Sequence, residues 1–507
     1  MIKDEEVYER KGEPMEMEKE SGMSRIRRAV LLHTAWTFAC VTLLAFGWSV
    51  GSAHAAGNLS WKSDDGDHKV DVGLVTRFRA EYWDVRASDD DSFAAWRSRI
   101  NLKYTWKDRM KVFIEFQDAR INGMGSDSSG GAALYRASAG PGSKTSSQRL
   151  RQLWLDFDVT ESLSFRAGRQ DIKLGTEVMY PEGNWKYLKI KRVSQRLVGT
   201  VGWTHGERSN DGVSASYDFG DYHLYAWGAK PTTGVFDIDG AYSTQDDILY
   251  GGASFTAKRG TWLRDTEVRL FGIAYRDDRN TSDGGLDDSR ALNIYTGGFS
   301  LIGIYPYGDG NVDLTLWGAY QWGDWPIAGD HLSHSAWAGL AETGYQFTNV
   351  QMKPWIRVGI NAASGDGSST DGDHESFFNI LPTNHLYYGF QDQFALGNLL
   401  NYFAQLKLKP TEKSDFDITL HQFSKWTTDD GRHFGTGAFD RSSFGFGLDV
   451  SDTSRNMGTA VDLTLGYKLH KNVHLQGGYS YMWGHGQWNG LSDDDARWAY
   501  FQVTAKY

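Results

Sequence analysis

Between residues 70 and 117, basic side chains recur at intervals of two within consecutive patterned segments. They are Arg77, Arg79, Arg97, Arg99, Lys103 and Lys111. A spacing of two places side chains on one face of a β-strand. A guanidinium fork binds a carboxylate through two parallel hydrogen bonds, and rows of bases along a pore favour anions. The pattern therefore predicts contact with an anionic, carboxylate-bearing solute.

Four further bases follow the same face rule later in the chain, namely Arg166, Arg269, Arg357 and Lys407. Acidic residues share these faces, among them Glu81, Glu115, Asp156, Asp313 and Asp417. The bases therefore have two interpretations. They line a path for anions, or they neutralise the acids that lie beside them.

Four tryptophans occupy the same polar faces: Trp154, Trp227, Trp317 and Trp355. Indole rings stack on sugar rings, but they also fill space in a crowded interior. Both interpretations are open from the sequence.

Other chemistries have weaker signals. Asp366, Asp371 and Asp373 crowd one loop and are candidate Ca²⁺ ligands, but their spacing does not match a regular calcium-binding loop, so a solvated acidic loop is the better interpretation. No pair of residues stands out as catalytic. Gly-x-Gly sequences lie within predicted strands rather than before a helix, so they are not nucleotide-binding motifs. We expect no catalytic residue, no bound metal and no cofactor.

The elements that must position these side chains are strands. The last twelve residues, 496–507, read ARWAYFQVTAKY, with one alternating set apolar, the other largely polar, and Tyr507 at the end. A terminal strand of this kind closes an outer-membrane β-barrel, with apolar residues toward lipid and polar residues toward the lumen. The same alternation begins near residue 70.

Short turns alternate with long polar loops along the chain, as at residues 107–109 and 122–147. This asymmetry is typical of periplasmic turns and extracellular loops. The segments number about 18, or 20 if a weak pair between residues 185 and 204 is counted. The predicted fold class is an all-β transmembrane antiparallel barrel over residues 70–507.

The N-terminus resembles a targeting segment. Residues 1–22 form a polar leader that the native protein need not carry, since Met23 resembles a natural start. Residues 23–55 form a signal peptide with a basic start and an apolar run, and Ala56 is the expected mature start. A membrane anchor is the alternative. Residues 56–69 then form a short periplasmic segment, and the only cysteine, Cys40, would be removed.

Composition agrees with these expectations. The net charge of −11 argues against nucleic-acid binding. The mean hydropathy of −0.50 argues against a helical membrane protein but suits a barrel with a wet lumen and polar loops.

Two stretches resemble the alginate-export family of outer-membrane barrels. Residues 149–170 read RLRQLWLDFDVTESLSFRAGRQ, and residues 363–400 contain ASGD followed by FFNILPTNHLYYGFQDQFALGNLL. The resemblance implies an 18-stranded monomeric barrel with an arginine-rich, anion-selective channel for a polyuronate. The stretch after the GRQ of the first match follows the family pattern only loosely.

These observations predict an outer-membrane channel for passive passage of an anionic saccharide or polyuronate. Its expected partners are membrane lipid, an anionic oligo- or polysaccharide and, through the C-terminal strand, the barrel-assembly machinery. The alternatives are a secreted all-β carbohydrate-active enzyme and a structural barrel plugged by an inward-folded loop, such as residues 363–392.

Overall fold

Strands dominate the part of the chain that the structure describes. The computed structural model describes residues 59–84, 91–123, 146–235, 238, 244–279, 291–327, 330–368, 370–435, 448–450, 454–484 and 495–507. The predicted leader, the signal peptide and Cys40 lie outside these residues.

The strands have the following bounds. They are β1 (Leu59–Lys62), β2 (His68–Asp84), β3 (Asp91–Trp106), β4 (Met110–Asn122), β5 (Ser146–Asp158), β6 (Leu163–Gln170), β7 (Asn210–Phe219), β8 (Tyr222–Pro231), β9 (Ile248–Ala257), β10 (Thr266–Asp277), β11 (Leu292–Tyr307), β12 (Gly310–Ile327), β13 (Asp330–Phe347), β14 (Trp355–Ala363), β15 (Asp373–His374), β16 (Leu399–Thr411), β17 (Ser414–Ser424), β18 (Arg432–His433), β19 (Leu448–Asp449), β20 (Asn456–His470), β21 (Val473–Gly484) and β22 (Ala496–Lys506).

Helical structure is short. The helix α1 spans Gly183–Leu188, a π-helical turn follows at Lys189–Val193, and a 3₁₀ turn covers Asn384–Leu386. Within the described ranges, no helix has the length and apolar character required to cross a membrane.

Eighteen strands form one closed antiparallel barrel. They are β2 to β14, β16, β17 and β20 to β22. The barrel closes between β2 and β22, where Val75 lies opposite Lys506 and Asp84 opposite Arg497. The predicted fold class is confirmed with the lower strand count, because the weak segments between residues 185 and 204 lie outside the wall.

The two faces of the wall differ as the alternation predicted. Ile100, Phe116 and Val213 are more than half exposed on the outer face. Arg79 and Arg357 on the inner face are 0% and 1% exposed. Lipid covers the outer apolar band of such a barrel, so this exposure is expected for a membrane protein.

Two long connections fold into the lumen instead of away from it. The first inserted segment comprises residues 171–209, between β6 and β7, and the second comprises residues 364–398, between β14 and β16. Their apolar side chains, including Trp185, Val198 and Phe377, are almost completely buried. The lumen therefore has a hydrophobic core of its own, built from the two inserted segments.

Candidate functional site

The first inserted segment is fixed to the wall by ion pairs from its helical part. Lys189 pairs with Glu267 of β10. Arg192 donates from Nε and Nη2 to the two carboxylate oxygens of Glu342 on β13, at 2.8 and 2.7 Å. These side chains are almost fully buried, so each charge needs its partner inside the protein.

Glu207, near the end of this segment, is the centre of an arginine cluster. Its carboxylate contacts Arg97 and Arg99 of β3, the latter at 3.1 Å, and Arg151 of β5 at 2.7 Å. Burial alone would raise the pKa of Glu207, but the three guanidinium groups hold it well below its ordinary value. The wall thus presents three guanidiniums to Glu207, and Arg151 also pairs with Glu115 of β4 at 2.9 Å and with Asp171 at 2.6 Å.

The backbone that carries Glu207 is unusual. Glu207 has a φ of +56°, and the β-branched Val201 has a φ of +52°, both in the left-handed region. Gly234, after β8, approaches so closely that a Cβ there would lie 2.1 Å from the carbonyl oxygen of Glu207. Left-handed conformations cost about 1–2 kcal/mol for ordinary residues, so surrounding contacts must hold this segment in place.

Arg77 and Arg79 of β2 bind the same segment through its carbonyl groups. Arg77 donates to the carbonyls of residues 202, 203 and 204, at 2.6–2.9 Å. Arg79 donates to the carbonyl of Trp203 at 2.7 Å and to Glu81 at 2.6 Å, and its guanidinium lies 3.6 Å from the Trp203 ring centroid. These arginines hold the inserted segment against the first strand of the barrel.

The two inserted segments also bind each other. Leu381 donates its N–H to the carbonyl of Leu197 and accepts from the N–H of Gly199, both at 2.8 Å. The ring of Trp203 stacks on His385 at 4.1 Å, and His385 lies 2.9 Å from Asp392. The segments therefore form one unit across the lumen.

A second charged network joins β12, β13 and β14. Arg357 pairs with Asp313 at 2.9 Å and with Glu342 at 3.0 Å, and Trp355 donates its indole N–H to Asp313 at 2.7 Å. Glu342 thus accepts from both the wall and the first inserted segment. All of these groups are buried.

Replacing Glu342 with glutamine should destabilise the folded barrel by about 3–5 kcal/mol, because Arg192 and Arg357 would lose a buried carboxylate partner. The measurement is the urea concentration at which the folded band disappears from unboiled gels. The control is Glu412→Gln, since Glu412 is exposed and its pair with Lys409 should contribute little. An unchanged urea midpoint for Glu342→Gln would contradict the assigned role of this network.

The remaining predicted bases lie on the inner face with acids nearby. Lys111 pairs with Asp158 at 2.9 Å, Arg166 with Asp156 at 2.6 Å, Arg269 with Glu177 at 2.6 Å and Lys407 with Asp417 at 2.6 Å. Lys103 lies opposite Asp71 in the β2–β3 register. For most of these bases, the structure therefore matches the second interpretation, in which bases and acids neutralise each other.

The four tryptophans contact protein groups on the inner face. Trp154 stacks on Phe113 at 5.0 Å and lies under Arg166, Trp227 stacks on Tyr225 at 5.7 Å, and Trp317 lies 6.1 Å from Phe271. Trp227, Trp317 and Trp355 are at most 6% exposed, which is the geometry of space-filling rings.

The carboxylates of the acidic loop bind neighbouring backbone groups in the described residues. Asp366 and Asp371 each accept an N–H from the residue two positions on, at 3.1 Å. Burial raises the pKa of Asp366, and the charges of Asp430 and Asp371 add to this effect. Across the described ranges, no three His, Cys, Asp or Glu side chains are arranged to hold a metal ion.

Several residues of the cluster were missed from the sequence. By alternation, Arg151 shares a face with Leu153 and Leu155, which point toward lipid, but a β-bulge opposite Glu115 and Phe116 places Arg151 inward at 1% exposure. Glu207 and Arg192 lie in the connection between β6 and β7, where no strand pattern indicates a face. The basic run Lys189–Val193 was the available signal for a buried binding segment.

Comparisons with known proteins agree with the geometry. A family model described as alginate export matches residues 68–484. The fold is similar to OccK2 (OpdF) of Pseudomonas aeruginosa, at 10% identity over 86% of this chain and 97% of that chain, with a TM-score of 0.53. A BenF-like porin of Pseudomonas fluorescens Pf-5 has 10% identity, coverage of 86% and 98%, and a TM-score of 0.55. OccAB2 of Acinetobacter baumannii has 11% identity, the same coverage and a TM-score of 0.55.

One structure of OccK2 was solved in complex with glucuronate. No curated protein matches the chain. At these identities the solved structures establish the fold alone, which is that of outer-membrane porins.

Proposed function

This chain belongs to the alginate-export family and is a channel of the bacterial outer membrane, and we propose that it passes an anionic saccharide of the polyuronate type along the arginines of β2, β3 and β5. Family and fold are those of channels, which favours this role over a secreted carbohydrate-active enzyme. Passage would be passive, driven by a gradient.

The observation that carries this proposal is the carboxylate of Glu207 bound by Arg97, Arg99 and Arg151. Three guanidiniums that converge on the Glu207 carboxylate form an anion site, and the inserted segment supplies this anion from the protein itself. A uronate carboxylate has the same charge and the same two acceptor oxygens. It would replace Glu207 when the first inserted segment leaves the wall.

This exchange explains how a largely neutralised lumen can still select anions. While the segment is docked, acids of the protein balance the arginines. When it is displaced, Glu207 leaves, and the three arginines of β3 and β5 face the path with Glu115 of β4 as the wall carboxylate paired to them. OccK2, which shares this fold, was crystallised in complex with glucuronate, which is a uronate.

The test is the reversal potential in a salt gradient across a planar bilayer. Replacing Arg77, Arg79, Arg97 and Arg99 with glutamine should reduce anion preference and weaken block by added polyuronate. For the wild-type channel, anion preference should fall at high salt, because mobile ions screen fixed charge.

A charge-matched control replaces four bases that are at least 40% exposed: Arg120, Arg264, Arg276 and Lys409. Its selectivity should equal that of the wild type. Equal selectivity of the two quadruple variants would contradict the proposed path.

A permanently plugged barrel is the second candidate, favoured by the mutual packing of the two inserted segments. It predicts no conductance for the wild-type protein under any salt condition. Measurable single-channel current would exclude it.

A further inference from the structure

Gln117 of β4 lies between the wall arginines and the first inserted segment. Its side chain is almost fully buried. Its Oε1 accepts a hydrogen bond from Nε of Arg99 at 2.7 Å. Its Nε2 donates to the carbonyl groups of His205 and Gly206, at 3.2 and 3.1 Å. One amide therefore contacts a wall arginine on one side and, on the other, the backbone that leads directly into Glu207.

The partners of Gln117 allow only one orientation of its amide. The Nε of an arginine can only donate a hydrogen bond, so it requires the amide oxygen. Backbone carbonyls can only accept, so they require the amide NH₂ group. A carboxylate could replace the first half of this arrangement but not the second, and an alkyl side chain could replace neither. The two sets of partners therefore require an amide at this position.

Gln117 also determines which atoms of Arg99 remain for an anion. With Nε bound to Gln117, Nη2 of Arg99 lies 3.1 Å from Oε2 of Glu207. Glu115, on the same strand as Gln117, lies farther from Arg99, at 3.8 Å, and pairs with Arg151 at 2.9 Å. A neutral group thus holds Arg99 at Nε, while its Nη2 is left for the carboxylate of the inserted segment.

The cross-strand partner of Arg99 is unlike that of another inner-face base. Lys407 lies directly opposite Asp417 on the neighbouring strand and pairs with it at 2.6 Å. Arg99 lies directly opposite Gln117 on β4. An amide oxygen accepts the same hydrogen bond as a carboxylate oxygen but carries no formal charge. Gln117 therefore orients Arg99 without neutralising it.

Charge balance in the displaced state makes this neutrality important. When the first inserted segment leaves, Glu207 leaves with it, and Glu115 remains as the wall carboxylate among the three arginines of β3 and β5. Asp171, at the start of the segment, pairs with Lys173 as well as with the β5 arginine, so this pair adds no net negative charge. A second wall carboxylate at position 117 would halve the remaining excess of positive charge.

We propose that Gln117 is a specificity-determining residue of the arginine path. It holds the first inserted segment through two backbone carbonyls, orients Arg99 toward the anion position, and leaves the charge of Arg99 available to a transported anion. Gln117 is a positioning residue, because it acts through Arg99. The inference rests on the proposed channel function and refines it, since it assigns part of the anion preference to a neutral side chain.

The experiment replaces Gln117 with glutamate in the full mature protein and records single-channel conductance and reversal potential in planar bilayers. Conductance should rise, because a carboxylate cannot donate to the carbonyls of residues 205 and 206. Anion preference should fall, and block by added polyuronate should weaken about tenfold. Arg99 should keep the new carboxylate charged at pH 7, since an opposite charge within about 4–6 Å favours ionisation.

Gln117→Met is the variant that separates the two roles. It keeps the length of the side chain and removes both hydrogen-bonding groups without adding charge. The displaced fraction of the segment should rise about tenfold, while anion preference stays at least as high as in the wild type. A merely structural role of Gln117 predicts the same reversal potential for the glutamate and methionine variants.

Two further variants complete the design. Gln148→Glu adds one negative charge at an exposed position of β5 and should conduct and select as the wild type does. Arg99→Met removes the charge that a carboxylate at position 117 would neutralise, so it should lower anion preference. Folding of each variant is checked by its band on unboiled gels. If Gln117→Glu did not fold, Gln117→Met and Arg99→Met would test the same separation of conductance from selectivity.

Increased conductance in both Gln117 variants, with lowered anion preference in Gln117→Glu alone, is the expected result. Equal reversal potentials for the two variants of an anion-selective wild type would overturn the inference, while the arginine path would stand. Unchanged conductance in both variants, or unchanged anion preference in Arg99→Met, would also overturn it. A wild-type channel without anion preference would contradict the proposed function itself, and the inference with it.

Discussion

Replacing Glu207 with glutamine should raise the anion conductance of the channel and make its reversal potential more anion-selective. The change removes the carboxylate that Arg97, Arg99 and Arg151 bind, while the side chain keeps its size. A loss of about 2 kcal/mol in docking free energy, typical for hydrogen bonds to charged groups, corresponds to a roughly thirtyfold larger displaced fraction of the first inserted segment. Single-channel recording in planar bilayers measures both quantities.

Acidification should not reproduce this effect above pH 5. The guanidiniums hold the pKa of Glu207 well below its ordinary value, although burial opposes them. A lowered pKa means that the docked carboxylate stays charged at and above the unfolded value near 4.5, and that its stabilisation is lost only as the pH falls further toward the folded value. Conductance should therefore be constant from pH 7 to pH 5.

The matched control is Glu182→Gln, in the same segment. Glu182 is about half exposed and pairs with Arg259 at 3.2 Å, so its removal should leave conductance unchanged. If Glu207→Gln lowered anion selectivity, Glu207 would not be the internal competitor of the transported anion.

The second large effect should come from joining the two inserted segments covalently. Val198 and Leu381 are partners in an isolated parallel β-bridge, so cysteines at these positions lie within reach of a disulfide. Oxidation of Val198→Cys/Leu381→Cys should abolish most of the conductance, and a reducing agent should restore it. The readout is bilayer current before and after reduction, with disulfide formation followed by gel shift.

The chain suits this experiment because Cys40 is its only native cysteine and lies in the predicted signal peptide. The single-cysteine variants should conduct as the wild type does. A second control, Ala319→Cys/Ala338→Cys, places the pair on neighbouring wall strands, where no relative movement is required. Full current through the oxidised Val198–Leu381 variant would show that the path does not run between the inserted segments.

The barrel was predictable from the sequence because its determinants are local. Alternation with a period of two reports which face of a strand meets lipid, and it does so strand by strand without knowledge of pairing. The connection between β6 and β7 could not be predicted, because its structure depends on contacts that are not local in the sequence. Its short helix and extended pieces are held by Glu267, Glu342 and the carbonyl-binding arginines of β2, which are remote in the chain.

The site was predictable in part. The face rule placed Arg77, Arg79, Arg97 and Arg99 on the lumen side, where the structure has them. The alternation could not assign the partners of these arginines, because a carboxylate such as Glu207 belongs to a segment without a strand pattern. It also failed at Arg151, since one inserted residue in β5 reverses the phase of alternation.

The closure between β2 and β22 has a consequence for the order of assembly. Val75 of β2 pairs with Lys506 of β22, which lies far along the chain from it. Pairings between such distant residues form slowly, because loop-closure entropy is lost before contacts compensate for it. The same β2 carries Arg77 and Arg79, which bind the first inserted segment. β2 can therefore bind the first inserted segment before it pairs with β22. The barrel then closes with that segment already bound inside it.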